Sequence, residues 1–264
     1  MTSARRFSLA VLVFVVAAVP AFASHSWGGY HWARTSNPFT LKVSNNTTNG
    51  WPTYYNTAAG DWSSSSVMNL ASSLGSASKR CAMVAGTVQV CNGTYGSNGW
   101  LGLASINITN SVHITQGSAK MNDTYFNTST YNNPNEKLHV MCQEVGHTFG
   151  LDHQSTDGSS QNTCMDYFSN TGSNATSTLS THPNQHDYDE LVTIYSHLDS
   201  STTLGASATF PNAMGAFNGE DPSAWGRLVS SQGRSEIYEL DFGGGNKTIT
   251  FVNWADDSHG KSGN

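Results

Sequence analysis

The chain has 264 residues, only 11% of them charged, and a formal net charge of −6. So acidic and cation-poor a surface argues against nucleic acid or an anionic membrane as partner. The length allows one good-sized core, or one domain with a small appendage.

Arg5 and Arg6 precede an apolar run from Phe7 to Val19, and Ala21-Phe22-Ala23 sets small residues where a signal peptidase reads. This is the three-part pattern of a secretory signal, too short to span a bilayer comfortably. Residues 1–23 are therefore expected to be removed, and the product to be secreted and extracellular. The two arginines leave with the signal, so Lys+Arg falls from 12 to 10 against 18 Asp+Glu, a net charge near −8. No later segment is apolar for long enough to span a membrane. Sequons occur at Asn92, Asn107 and Asn174, among others, and matter only where the source glycosylates.

Phe39–Val43 alternates as a strand does. Trp51, Tyr54, Tyr55, Ala58 and Trp62 share one helical face. Further strands are expected at Val67–Leu74, Met83–Val90, Gly99–Ile106 and Ser111–Met121. The period then changes: Leu138, Met141, Cys142, Val145 and Phe149 recur at helical spacing, with a start signal at Asn135-Glu136 and a stop at Gly150. Polar loops flank a last helix near His186–His197, which carries Tyr188, Leu191, Ile194 and Tyr195 on one side. After Thr203 the composition shifts to Gly, Pro and acidic residues. Arg227–Ser231, Glu236–Phe242 and Lys247–Trp254 then read as a small antiparallel β unit turning at Gly243-Gly244-Gly245.

The four cysteines, Cys81, Cys91, Cys142 and Cys164, all lie in the exported part. An even count outside the cytosol makes disulfides the default. Of three pairings, Cys81–Cys91 would close a local loop and Cys142–Cys164 would tie the long helix to the turn after it. Free buried thiols are the alternative.

The chemistry lies in Gln143-Glu144-Val145-Gly146-His147-Thr148-Phe149-Gly150-Leu151-Asp152-His153. Two metal ligands one helical turn apart face one ion, and a carboxylate beside the first can activate water. A glycine beyond the second ligand lets the chain turn, so that a third, three residues later, swings back.

This stretch resembles the metzincin zinc peptidases, and most nearly the matrixins. The resemblance extends to Thr163-Cys164-Met165-Asp166-Tyr167, which matches the methionine turn of that family, and covers about Ser36 to Leu198. It implies an α+β, zincin-like catalytic domain over residues 24–203. That domain would hold a twisted five-stranded mixed sheet, an active-site helix, the methionine turn and a C-terminal helix. Residues 204–264 would form a β-rich extension that either covers an edge of that domain or binds something else. It also implies one catalytic Zn2+ held by His147 and His153, with Gln143 standing where the first histidine is expected and serving as a weak donor. Glu144 would be the general base, Tyr167 an extra metal contact and oxyanion stabiliser, Met165 the floor beneath the metal and Gly150 the turn. The activity implied is hydrolysis of peptide bonds in protein or peptide substrates by a monomeric secreted endopeptidase. The strand Trp100–Ala104 would be either the exposed edge that pairs with substrate or an ordinary buried strand.

Gln143 is the departure. An amide oxygen is a weaker zinc donor than imidazole, which leaves open a second reading: a binding or adhesion protein that keeps the shell without the activity. His139 cannot replace it, because it lies about 12 Å along the helix axis from His147. His113, on an apolar strand pattern, is expected to be a satisfied core or structural residue, and Asn184-Gln185-His186-Asp187 to cap the last helix or, alternatively, to bind a structural ion. The segments where matrixins keep structural Zn2+ or Ca2+ show no clear ligand set.

Overall fold

A computed structural model describes residues 25–76, 80–205, 211–215, 217 and 219–255. The expected signal peptide lies outside them. In chain order the main elements are β1 (His31–Trp32), β2 (Phe39–Asn46), α1 (Trp51–Trp62), β3 (Met68–Leu74), β4 (Thr87–Gly93), β5 (Trp100–Thr109) and β6 (His113–Asn122). A one-turn helix α2 (Asp123–Phe126) follows, then α3 (Pro134–His147), α4 (Gln185–Ile194), the short α5 (Asn212–Gly215), β7 (Arg227–Gln232), β8 (Ser235–Gly243) and β9 (Asn246–Trp254).

The class is α+β, with a mixed sheet of nine strands rather than five among the described residues. Its order is β3-β2-β4-β6-β5-β9-β8-β7, with β1 on β6 beside β4. Strands β2, β3, β4 and β6 run parallel, β5 is antiparallel to β6, and β9, β8 and β7 continue antiparallel beyond it. The last three strands therefore extend the sheet along the free side of β5. The expectation that Trp100–Ala104 is an exposed edge is overturned, because every residue of β5 is buried and Lys247–Trp254 pairs along it.

Side chains alternate across a sheet, and on β5 the two faces meet different layers. Even positions face the helices: a Cβ at Gly102 would press on Val140 and Glu144 of α3. Ala104, Ile106 and Ile108 join the main core with Val140, Val145 and Phe149, and with Trp62 of α1. From Leu103 to Asn107 the odd positions face the polypeptide after Thr203, while at the irregularity between Trp100 and Gly102 the order inverts, with Trp100 on this side and Leu101 in the main core. Leu103 packs with Trp100, Trp225, Val252 and Trp254 in a second, smaller core, and Asn107 reaches the backbone of Met214 at 3.5 Å. The tail so covers both an edge and a face of the sheet. Trp225, fully buried, donates to the Gly219 carbonyl at 3.0 Å.

Helix α3 starts where its capping chemistry directs. The Asn133 side chain accepts from the Glu136 backbone N–H, and Pro134 occupies the first turn, where its missing donor costs nothing. Helix α4 begins with a reciprocal capping box between Asn184 and Asp187, so that run serves as the expected cap. Both expected disulfides are present, Cys81–Cys91 and Cys142–Cys164. They fit a protein of an oxidising compartment. No described helix is long and apolar enough to cross a membrane. Of the three sequons named above, Asn174 is exposed. Asn92 and Asn107 are buried and hydrogen-bonded, Asn92 to Asp123 at 2.5 Å and Asn107 to Thr248, which removes them as glycan acceptors.

The Cys142–Cys164 bridge spans 22 positions, and closing a loop of that size constrains the unfolded chain by roughly 3 kcal/mol. Replacing both cysteines by serine is expected to lower unfolding stability by about that amount in urea titrations monitored by tryptophan fluorescence. No change would mean that the bridge does not hold the helix to the turn.

Candidate metal centre and its cover

The residues singled out at 143–153 converge at the C-terminal end of α3. Gln143, Glu144 and His147 are almost wholly buried, and His153 is 8% exposed. The helix ends at His147, and the chain reverses at Gly150, whose φ is +93°. That backbone region favours glycine. A Cβ there would also lie 1.9 Å from the Tyr30 carbonyl oxygen. The reversal brings His153 back beside His147, with ring centroids 4.6 Å apart.

Both imidazoles are oriented by their Nδ1 atoms. His147 Nδ1 lies 2.9 Å from the Leu151 carbonyl, which can only accept, so Nδ1 carries the proton and Nε2 the free lone pair. His153 Nδ1 lies 3.3 Å from Asp152 Oδ1. Anchoring the far nitrogen in this way is how proteins orient metal-ligating histidines. Burial, and then the neighbouring His153, push the His147 pKa down to about 3. Burial likewise lowers that of His153. Both rings are thus held neutral, the form that binds a metal.

Glu144 sits in the same helical turn, beneath Gly102 of β5. Neither carboxylate oxygen has a hydrogen-bond partner, and burial raises its pKa well above the ordinary value. Met165 is fully buried under the helix, where a Cβ at Gly146 would lie 2.6 Å from its sulfur. Trp62 locks the same turn by donating to the Cys142 carbonyl at 3.1 Å. Tyr167 lies with its ring centroid 4.3 Å from that of His153, and burial raises its pKa. Imidazole, carboxylate and phenol are donors of the kind zinc takes, but among the described residues His147, His153 and Glu144 do not bring three ligand atoms together closely enough to form a ready metal-holding group.

Gln143 is differently engaged. Its amide nitrogen donates to the carbonyls of Cys164 and Asp166 at 3.0 and 2.8 Å. Two carbonyls can only accept, so this fixes which end of the amide is nitrogen. Its oxygen then accepts from Asn253 Nδ2 at 2.8 Å. The atom expected to reach a metal is occupied by strand β9. His139, one turn earlier, is buried and bonded to Asn170 and the Asp166 carbonyl at 3.1 and 3.3 Å, a supporting role for the turn that carries Met165.

Residues that sequence reasoning did not place here come from the tail. Phe251 of β9 stacks face to face on His147, with centroids 4.3 Å apart and planes within 4°. Asn253, Arg234 and Ser235 line the small space beside Gln143 and His153, which measures about 10 Å3, room for no more than one water. A larger cleft of about 500 Å3 opens alongside, between Tyr131, Thr156, Tyr167, Phe168, Gly233 and Arg234. The register of β9 follows from its alternation, Thr248, Thr250 and Val252 toward the second core and Ile249, Phe251 and Asn253 toward α3. That alternation is visible in the sequence, but the strand with which it pairs is not.

Neither a family model nor a curated protein matches this chain. Among solved structures it is similar to that of myroilysin, at 11% identity, over 62% of this chain and 96% of that one, with a TM-score of 0.35. So low a likeness carries no weight for function.

A buried carboxylate without a partner is costly. Replacing Glu144 by methionine, of similar volume and without charge, is expected to raise the stability of chelator-dialysed protein by about 1 kcal/mol or more. The urea unfolding midpoint reads this directly. A fall would show that the carboxylate has a stabilising partner.

Proposed function

We propose that this chain is a secreted zinc-dependent endopeptidase of the metzincin type, held closed by its own C-terminal strands. The observation that carries the reading is the Glu144 carboxylate, buried without a partner one turn before His147 on the same helix, together with the fixed tautomers of His147 and His153. Such an arrangement contributes nothing to folding, and strongly perturbed groups of this kind gather where chemistry is done.

In this reading His147 and His153 hold the zinc through Nε2, with Tyr167 at the rim. When bound, zinc supplies Lewis acidity toward a carbonyl and toward water. Glu144 takes a proton from water and passes it to the departing amine, work for which its raised pKa suits it. Tyr167, kept protonated by burial, donates a hydrogen bond to the oxygen on which charge develops. Gly102 leaves room for the carboxylate against β5, and Met165 and the Cys142–Cys164 bridge hold the floor rigid. Strand β9 lies antiparallel on β5, as an extended peptide does when it adds to a sheet edge. Protein or peptide substrate would approach from the cleft beside Tyr167 and take the place of β9.

A second reading is a binding or adhesion protein that has kept the shell and lost the reaction. The bond from Asn253 to the Gln143 oxygen favours it, since the strand spends that donor on protein.

The readings separate on purified mature protein assayed for casein cleavage with zinc and with chelator. The peptidase reading expects cleavage that chelator abolishes, and a loss of on the order of 100-fold or more for Glu144→Ala. No cleavage at any added divalent metal, with Gln143→His also inert, would leave the binding reading.

Asn253→Ala releases the Gln143 oxygen. It is expected to tighten zinc binding about fivefold, the worth of one competing hydrogen bond, in competition titrations with a chromophoric chelator. Unchanged affinity would remove Gln143 from the ligand set.

A further inference from the structure

A second group of chemistry-bearing side chains lies away from α3. His31 is on β1, and His113, its register partner, opens β6. His197 and Asp199 follow α4, in a segment laced to the chain beyond β1 by Asp199 N–H to the Arg34 carbonyl at 2.9 Å and Thr203 N–H to the Ala33 carbonyl at 3.0 Å. Four side chains from three distant parts of the sequence meet at one point.

The hydrogen bonds decide which atoms are free. His31 Nδ1 lies 2.8 Å from the Gly29 carbonyl, so it carries the proton and leaves a bare lone pair on Nε2. One carboxylate oxygen of Asp199, Oδ2, is taken by the Arg34 guanidinium at 2.9 Å and the Arg34 N–H at 3.2 Å. The other, Oδ1, faces imidazoles alone: His113 Nε2 at 3.2 Å, His31 Nε2 at 3.5 Å and His197 Nε2 at 3.7 Å. His31 Nε2 and His197 Nε2 are 3.1 Å apart.

Three electron-pair donors, His31 Nε2, His197 Nε2 and Asp199 Oδ1, thus sit 3.1, 3.5 and 3.7 Å from one another. Ligands at about 2.0–2.1 Å from a tetrahedral zinc ion stand roughly 3.3 Å apart. The spacing matches the face of such a tetrahedron. His31 is anchored through its far nitrogen and Asp199 through its far oxygen, the outer support that metal ligands characteristically have. The His197 side chain is about half exposed, which gives an ion a way in.

We propose that His31, His197 and Asp199 form a second zinc site, with His113 as the fourth group converging on it. Nitrogen-rich donors with one carboxylate suit zinc rather than calcium or magnesium. The site clips β1, the head of β6 and the segment after α4 together, and its role is structural. The proposal stands independently of the centre at His147 and His153.

The test is zinc stoichiometry by mass spectrometry on chelator-dialysed, zinc-reloaded and desalted protein. Wild type is compared with His197→Ala, at an exposed position that the fold tolerates, and with His147→Ala. His197→Ala is expected to lose one equivalent of zinc and, in cobalt titrations, the visible bands of tetrahedral cobalt at this site, with affinity more than about 100-fold weaker. His147→Ala is expected to retain that equivalent. Should His147→Ala fail to fold, the difference between wild type and His197→Ala alone decides. Wild type with one equivalent and His197→Ala with none supports this site and leaves the α3 centre without metal. Wild type without zinc, or equal stoichiometry in wild type and His197→Ala, overturns the proposal; the four groups would then be an ion-pair cluster of histidines around Asp199.

Discussion

The pairing of β9 with β5 is the constraint from which the rest of the candidate centre takes its form. Strand β5 is buried along its whole length, and an all-buried strand needs partners on both edges and cover on both faces. Strand β6 supplies one edge and β9 the other, while α3 and the segment around Trp225 supply the faces. Because side chains alternate strictly along a strand, a single register decides what each residue of β9 touches. The observed register turns Phe251 and Asn253 toward α3, one against His147 and the other against Gln143. A slip of one residue would present Thr250 and Val252 instead and leave both groups on α3 uncovered.

The centre is stiff as well as covered. Helix α3 is bridged to the turn at Met165, pinned at Cys142 by Trp62, and pressed against the methionine sulfur at Gly146 with no space for a side chain. Preorganisation of this kind keeps a buried, unpartnered carboxylate in place against its desolvation cost. That cost is carried by the surrounding packing, as it is where local strain or unsatisfied groups persist for function. The same rigidity explains Gln143, whose amide makes three hydrogen bonds to protein and so acts as a strut between α3, the turn and β9.

Much of this was legible in the sequence because it is local. The apolar spacing of Leu138 to Phe149 gives α3, the glycine at position 150 gives its end, and the spacing of His147 and His153 gives their convergence. Period-two patterns gave the strands, and both cysteine pairs were anticipated. What could not be read depends on contacts between distant segments. Nothing local in Lys247–Trp254 says that it pairs with Trp100–Ile108, so an edge strand was expected where none exists. Nor does a lone His113 on an apolar strand announce His31, His197 and Asp199, which reach it only through the sheet register and the return of the chain after α4. Gln143 shows the same limit at a single residue: its identity pointed to a weak metal donor, and only the fold shows that Asn253 claims the oxygen.

The most direct test of the candidate metal centre beneath β9 is anomalous diffraction at the zinc absorption edge from crystals of zinc-loaded protein. The account predicts a peak bonded to Nε2 of both His147 and His153, beside the Glu144 carboxylate, with Phe251 stacked on His147 or displaced from it. Absence of density there at full zinc loading, with the Gln143 amide still bonded to Asn253, would contradict it.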